Sequence, residues 1–88
     1  MDLRAIEDLT VKTIVEAAQP GILEIEPEAT LIEDLGFDSL DRIELAMRLE
    51  DAFNLAPIPS ATAHGWRTVQ DVIGSMRSIL EVEDGQLS

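Results

Sequence analysis

The chain has 88 residues and a formal net charge of −12, from 18 acidic and 6 basic residues. Such an acidic surface repels nucleic acids and anionic membranes, and it favours basic protein surfaces or divalent cations as partners. The absence of cysteine excludes disulfides, thiolate nucleophiles and cysteine-based metal sites. The N-terminal MDLRAIEDLT lacks the apolar segment of a signal peptide, and no apolar run approaches about 18 residues. We therefore expect a cytoplasmic, monomeric protein that does not insert into membranes.

The first half of the chain predicts a helix followed by a long loop. Apolar residues recur at helical spacing through residues 3–18, with Asp2 as N-cap and the helix-breaking QPG at 19–21 as the end. Residues 22–38 predict an ordered loop, because the apolar alternation is brief and Pro27 excludes a central strand. We expect four apolar residues of this loop to contact the core, namely Leu31, Ile32, Leu35 and Phe37.

Residues 39–53 give the strongest helical signal. Asp38 fits as the N-cap, and Asp41 follows three residues later as in a capping box. The helix has two neighbouring apolar stripes. The first is formed by Leu45, Leu49, Ala52 and Phe53, and the second by Leu40, Ile43 and Met47.

The second half of the chain predicts one short helical turn and one full helix. Ser60 to His64 follow a proline-rich connector, and Thr68 fits as the N-cap of a last helix over 69–82. The predicted fold is therefore all-α: a small four-helix bundle of three main helices and one short helix, with a long first loop. We expect a single domain over residues 1–88, with a core over about 3–82 and a frayed tail at 83–88.

Ser39, at the start of the second helix, allows several roles. Nucleophilic catalysis is disfavoured, because the single histidine, His64, lies in a different segment and FDSLD is not a G-x-S-x-G elbow. The acids around Ser39 do not form an EF-hand, since Gly36 falls third where the pattern requires it sixth, although loose divalent-cation binding stays open. Helix capping and covalent modification also remain, and a phosphate ester on Ser39 would benefit from the free N–H groups of the helix start.

The segment EDLGFDSLDRIELAMRLEDAF, residues 33–53, closely resembles the signature of acyl carrier proteins. The stretches EPEATLIEDLG and RTVQDVI resemble that family's first loop and last helix, so the resemblance covers roughly residues 3–82. It implies a non-enzymatic carrier with 4′-phosphopantetheine on Ser39 and no bound metal. A separate phosphopantetheinyl transferase would attach the arm from coenzyme A and supply the base and metal. The arm's thiol would hold acyl chains as thioesters for enzymes of fatty acid, lipid or related biosynthesis.

The resemblance also implies roles for other side chains. Residues expected to contact basic patches of acyl-loading, elongating or acyltransferase enzymes are Asp38, Leu40, Asp41, Glu44, Met47, Glu50 and Asp51. Residues expected to form the acyl pocket are Ile43, Leu45, Leu49, Phe53 and Trp66. Simple core packing is the alternative for Ile43 and Met47, and filling of an otherwise aliphatic core is the alternative for Trp66.

Three features depart from the family pattern. The stretch PIPSATAHGW has no acid, Trp66 stands where a smaller aliphatic residue is usual, and Arg42 and Arg48 place positive charge on a normally acidic helix. These departures favour a specialised carrier over the housekeeping carrier of fatty acid synthesis. Two alternatives stay open: an aminoacyl or polyketide carrier domain, and an acidic helical interaction or cation-binding module without a prosthetic group.

Overall fold

The computed structural model describes residues 2–18 and 25–85, with side chains described up to residue 80. Four helices follow one another within these ranges: α1 (Leu3–Ala17), α2 (Ser39–Phe53), α3 (Ser60–His64) and α4 (Val69–Gly85). Within these described ranges no strand forms, and one isolated bridge pairs Thr30 with Thr68. The predicted all-α, small four-helix bundle is confirmed.

The predicted N-caps of α1 and α4 are confirmed by their hydrogen bonds. A carboxylate oxygen of Asp2 accepts from the Ala5 N–H at 2.8 Å, and Thr68 Oγ1 accepts from the Asp71 N–H at 3.2 Å. The predicted QPG end of the first helix lies outside the described residues. The backbone of α4 is helical to Gly85, three residues beyond the predicted end at 82.

The core lies where α1 packs against both α2 and α4, while α3 packs against α2. Trp66 is the largest fully buried side chain, with only 2% of its surface exposed. The other buried apolar residues are Ile6, Ile14, Leu31, Leu35, Phe37, Leu45, Ala46, Leu49, Ile58, Ala63, Val69, Val72, Ile73 and Met76. The core is therefore largely aliphatic, as the composition indicates.

Two threonines of α1 are buried, although the apolar pattern of the sequence does not include them. Thr10 and Thr13 face the core, and their hydroxyls donate to the carbonyl oxygens of Ile6 and Leu9, each at 2.7 Å. Because a threonine can satisfy its hydroxyl within its own helix, it can occupy an inward position without an unpaired polar group.

The loop before α2 is anchored on the start of α4 by backbone hydrogen bonds. The Leu31 N–H donates to the Arg67 carbonyl at 2.8 Å, and the Val69 N–H donates to the Ala29 carbonyl at 3.0 Å. The Gln70 N–H also donates to the loop, at the Pro27 carbonyl. The first N–H groups of a helix have no partner within the helix, so the loop satisfies donors that α4 leaves free.

The loop expectation is right for Leu31, Leu35 and Phe37, which are buried, and wrong for Ile32, which is 55% exposed. Residues 30–36 wind like a helical turn, because the Gly36 N–H donates to the Ile32 carbonyl four residues earlier. That spacing places Leu31 and Leu35 on one face of the turn and directs Ile32 outward. No helix in the described part of the chain is long and apolar enough to cross a membrane.

Candidate functional site

Ser39 is the first residue of α2, and its neighbours cap the helix in its place. Asp38 Oδ1 accepts from the Asp41 N–H at 2.8 Å, and Asp41 Oδ2 accepts from the Asp38 N–H at 3.0 Å. This reciprocal pair is the capping box that the sequence predicts. Ser39 is exposed, so its hydroxyl is accessible and is not needed as the cap.

The segment just before Ser39 is fixed by a glycine and a buried ring. Gly36 has a φ of 76°, a left-handed conformation that glycine adopts at little cost. The next residue, Phe37, is buried, and its N–H donates to the Leu31 carbonyl at 2.7 Å. The chain therefore leaves the core at Phe37 and reaches solvent at Asp38, which presents Ser39 at the surface.

Arg42 connects Ser39 to the end of α3. Its Nη1 donates to the carbonyl oxygens of His64 and Trp66, both at 3.1 Å, while its Nη2 lies 3.4 Å from Ser39 Oγ. Its Nε is buried and has no hydrogen-bond partner. Sequence reasoning marked Arg42 only as an unusual positive charge and missed this bridge, although its position three residues after Ser39 places both side chains on one helix face.

A pocket of about 450 Å³ opens between the first loop, α2 and the end of α3. Its lining residues are Thr30, Ile32, Glu33, Arg42, His64 and Arg67. Two of the six basic residues and the single histidine of an acidic chain therefore meet on one pocket wall, and Arg42 connects that wall to Ser39. In the described ranges, no three carboxylate or histidine side chains are grouped so that they could hold a metal ion.

The acids predicted to contact partner proteins occupy two different settings. Glu44 and Asp51 are exposed, whereas Asp38 and Asp41 are engaged with each other's backbone. Glu50 is half-buried, and its Oε2 accepts from the Ile58 N–H at 2.7 Å. Some of the predicted contact residues thus also hold the fold together.

Two apolar residues of the same predicted surface point to solvent. Leu40 is 68% exposed and Met47 is 58% exposed. Large apolar side chains at such exposure add apolar contact area to a face that otherwise carries acids.

The side chains predicted for the acyl pocket lie in or against the core. Leu45, Leu49 and Trp66 are buried, while Ile43 and Phe53 are partly buried and pack against the core cluster. Trp66 is further fixed by its indole N–H, which donates to Ser75 Oγ at 2.8 Å. All five residues pack in the bundle as core side chains do, and their role toward an acyl chain stays a prediction.

The comparison with known families agrees with this arrangement. The family model described as phosphopantetheine attachment site matches residues 7–76, a span that contains all of α2 and α3. Members of the family carry a covalently attached 4′-phosphopantetheine, and such carrier domains are typically non-catalytic. The site suits the group, because Ser39 offers an exposed hydroxyl and Arg42 a cation beside it. The chain belongs to the phosphopantetheine attachment family and is a small protein of the acyl carrier type.

Proposed function

We propose that this protein carries acyl chains on a 4′-phosphopantetheine arm attached to Ser39, and that it is not itself an enzyme. The observation that carries the proposal is the exposed Ser39 hydroxyl at the first residue of α2, inside the matched family span. Asp38 and Asp41 cap the helix, which leaves that hydroxyl available. When attached, the group supplies a terminal thiol that holds the acyl chain as a thioester.

Attachment requires a partner because Ser39 has no base of its own. In the described part of the chain, the side chain that contacts Ser39 Oγ is Arg42, and a guanidinium does not accept protons at neutral pH. Ser39 Oγ would form a new bond to the phosphorus that bears pantetheine in coenzyme A. The phosphorus–oxygen bond to adenosine bisphosphate breaks, and the hydroxyl proton passes to a base of the phosphopantetheinyl transferase.

The exposed part of α2 supports a docking role toward enzymes with basic patches. Glu44 and Asp51 supply charge, and Leu40 and Met47 supply apolar area. Asp38, Asp41 and Glu50 belong to the same proposed surface, with their carboxylates also held by backbone N–H groups. Complementary charge of this kind mainly accelerates association and weakens with salt.

For the acyl chain, we propose entry beside Ile43, with Leu45, Leu49, Phe53 and Trp66 behind it. The support is the partly buried position of Ile43 against the core that contains the buried Trp66. Fluorescence of Trp66, the only tryptophan of the chain, should change as longer acyl chains are loaded. A constant spectrum at every chain length would exclude this route.

The attachment site is tested by intact mass. Incubation with coenzyme A and a phosphopantetheinyl transferase should add one phosphopantetheinyl group, and Ser39→Ala should abolish the addition. Ser60→Ala is a matched control, because Ser60 is also an exposed first residue of a helix and should leave loading intact. Loading of Ser39→Ala, or refusal of the arm by the wild-type protein across several transferases, would refute the proposal.

The docking surface is tested by charge reversal at one of its exposed acids, Glu44. Glu44→Lys should slow acyl transfer to a partner enzyme at low ionic strength, and the difference from wild type should shrink as salt rises. An unchanged transfer rate at low ionic strength would remove Glu44 from the docking surface.

A further inference from the structure

We propose that Arg42 binds the phosphodiester created at Ser39, and that this contact makes attachment of the arm stabilise the folded protein. The inference rests on the proposed attachment at Ser39. It goes beyond that proposal by assigning the anion-binding residue and by predicting an effect of the arm on the carrier itself.

The position of the guanidinium supports the contact. Arg42 Nη2 lies 3.4 Å from Ser39 Oγ, and the phosphorus of the ester would be bonded directly to that oxygen. The charged phosphate oxygens would lie one bond further out, within reach of the same guanidinium. Because the guanidinium is ionised, an N–H of Nη2 would form a charge-assisted hydrogen bond to such an oxygen, which is shorter and stronger than a bond between neutral groups.

Arg42 is already held in place before any phosphate is present. Its Nη1 bonds to the carbonyl oxygens of His64 and Trp66, at the end of α3. Binding a phosphate at Nη2 therefore needs no break in these bonds and little further ordering of a long side chain. A group that is positioned in advance loses less conformational entropy on binding.

The charges around Ser39 are mostly negative, so removal of Arg42 should change how the arm affects the stability of the protein. Asp38 and Asp41 lie at the start of α2, and Glu33 lines the neighbouring pocket with Arg67. In a chain of net charge −12, a further anion beside these carboxylates is repelled, and Arg42 adds a compensating cation to the free N–H groups at the start of α2. The size of the arm's effect on stability should therefore depend on Arg42.

The test compares urea unfolding of each protein with and without the arm. Attachment should raise the urea midpoint of the wild type by about 0.5 M, and this increase should shrink at high salt. In Arg42→Gln, attachment should raise the midpoint less than in the wild type, leave it unchanged or lower it. Arg48→Gln is the matched control, because Arg48 is exposed on the same helix and should keep the wild-type increase. An equal increase in Arg42→Gln and wild type would overturn the inference.

A second measurement is needed because Arg42 also holds the end of α3, and its replacement could unfold the protein. Side-chain NMR of the wild type avoids any substitution. Hydrogen exchange of the Arg42 guanidinium should slow at least severalfold on attachment, while that of Arg48 should not change. Equal exchange with and without the arm would overturn the inference.

Intact mass separates failure of this inference from failure of the proposed function. A protein that carries the arm on Ser39 but shows no dependence on Arg42 refutes only the inference. A protein that carries no arm on Ser39 refutes the proposed function, and the inference with it.

Discussion

Replacing Glu50 with alanine is expected to destabilise the fold, although the resemblance to acyl carriers implies a docking role for this residue. Glu50 is half-buried, and its carboxylate accepts from the Ile58 N–H at 2.7 Å. That bond fixes the connector between α2 and α3 against the last turn of α2. The substitution would leave the N–H of the buried residue Ile58 without its partner.

The expected magnitude follows from two opposing effects. Loss of a hydrogen bond to a charged group costs about 1.5–3 kcal/mol. Glu50 also lies in the last turn of α2, where removal of a negative charge returns about 0.3–1 kcal/mol. The net loss in the free energy of unfolding should therefore be about 1–2 kcal/mol, which lowers the urea midpoint by about 0.3–2 M.

The neighbouring Asp51 provides the control. It is exposed in the same helical turn, so Asp51→Ala removes the unfavourable charge without breaking a comparable bond. Its urea midpoint should be unchanged or slightly higher than that of wild type. Equal midpoints for Glu50→Ala and Asp51→Ala would refute the assignment of a structural role to Glu50.

Three further substitutions test the positions that frame Ser39 and the core. Gly36→Ala should cost about 1–2 kcal/mol, because alanine is strained at a φ of 76°, and it should slow attachment of the arm as followed by intact mass; an unchanged midpoint would contradict the role of this glycine. Ser75→Ala should cost about 1–3 kcal/mol in urea unfolding, because it leaves the buried indole N–H of Trp66 unpaired; neutrality would mean that this bond contributes nothing. Thr68→Ala should lower the free energy of unfolding by about 1 kcal/mol, because it removes the N-cap of α4, whereas Thr68→Ser keeps a capping hydroxyl and should not. Equal thermal midpoints for Thr68→Ala and Thr68→Ser would refute the capping role.

The sequence predicts those parts of the fold whose signals are local. The start of α2 follows from Asp38 and Asp41, which lie three residues apart and satisfy each other's backbone. The short helix Ser60–His64 follows from the proline-rich segment in which it lies. Each of these signals needs only a few neighbouring residues, so the chain order is sufficient to reveal them.

Partners that lie far apart in the chain could not be predicted in the same way. The side chain of Glu50 bonds to the connector after α2, and Arg42 bonds to the carbonyl oxygens of His64 and Trp66. From the sequence alone, Glu50 and Arg42 are charged positions on an acidic helix, and nothing indicates their partners. Only the packing of α3 against α2 shows that both side chains join separate segments.

The same difference between local and distant residues decides which parts of the candidate site the sequence predicts. The motif around Ser39 indicates the residue that offers the hydroxyl. The pocket wall of Arg42, His64 and Arg67 draws on segments more than twenty residues apart, so no motif could indicate it.

The anchoring of the first loop on α4 links the presentation of Ser39 to the completion of folding. Leu31 bonds through its N–H to Arg67 and through its carbonyl to Phe37, two residues before Ser39. Contacts between distant residues close a long stretch of chain, which costs entropy and delays their formation. A chain still emerging from the ribosome, with α2 present and α4 absent, would lack this support. Ser39 would therefore reach its final presentation only after α4 has joined the bundle.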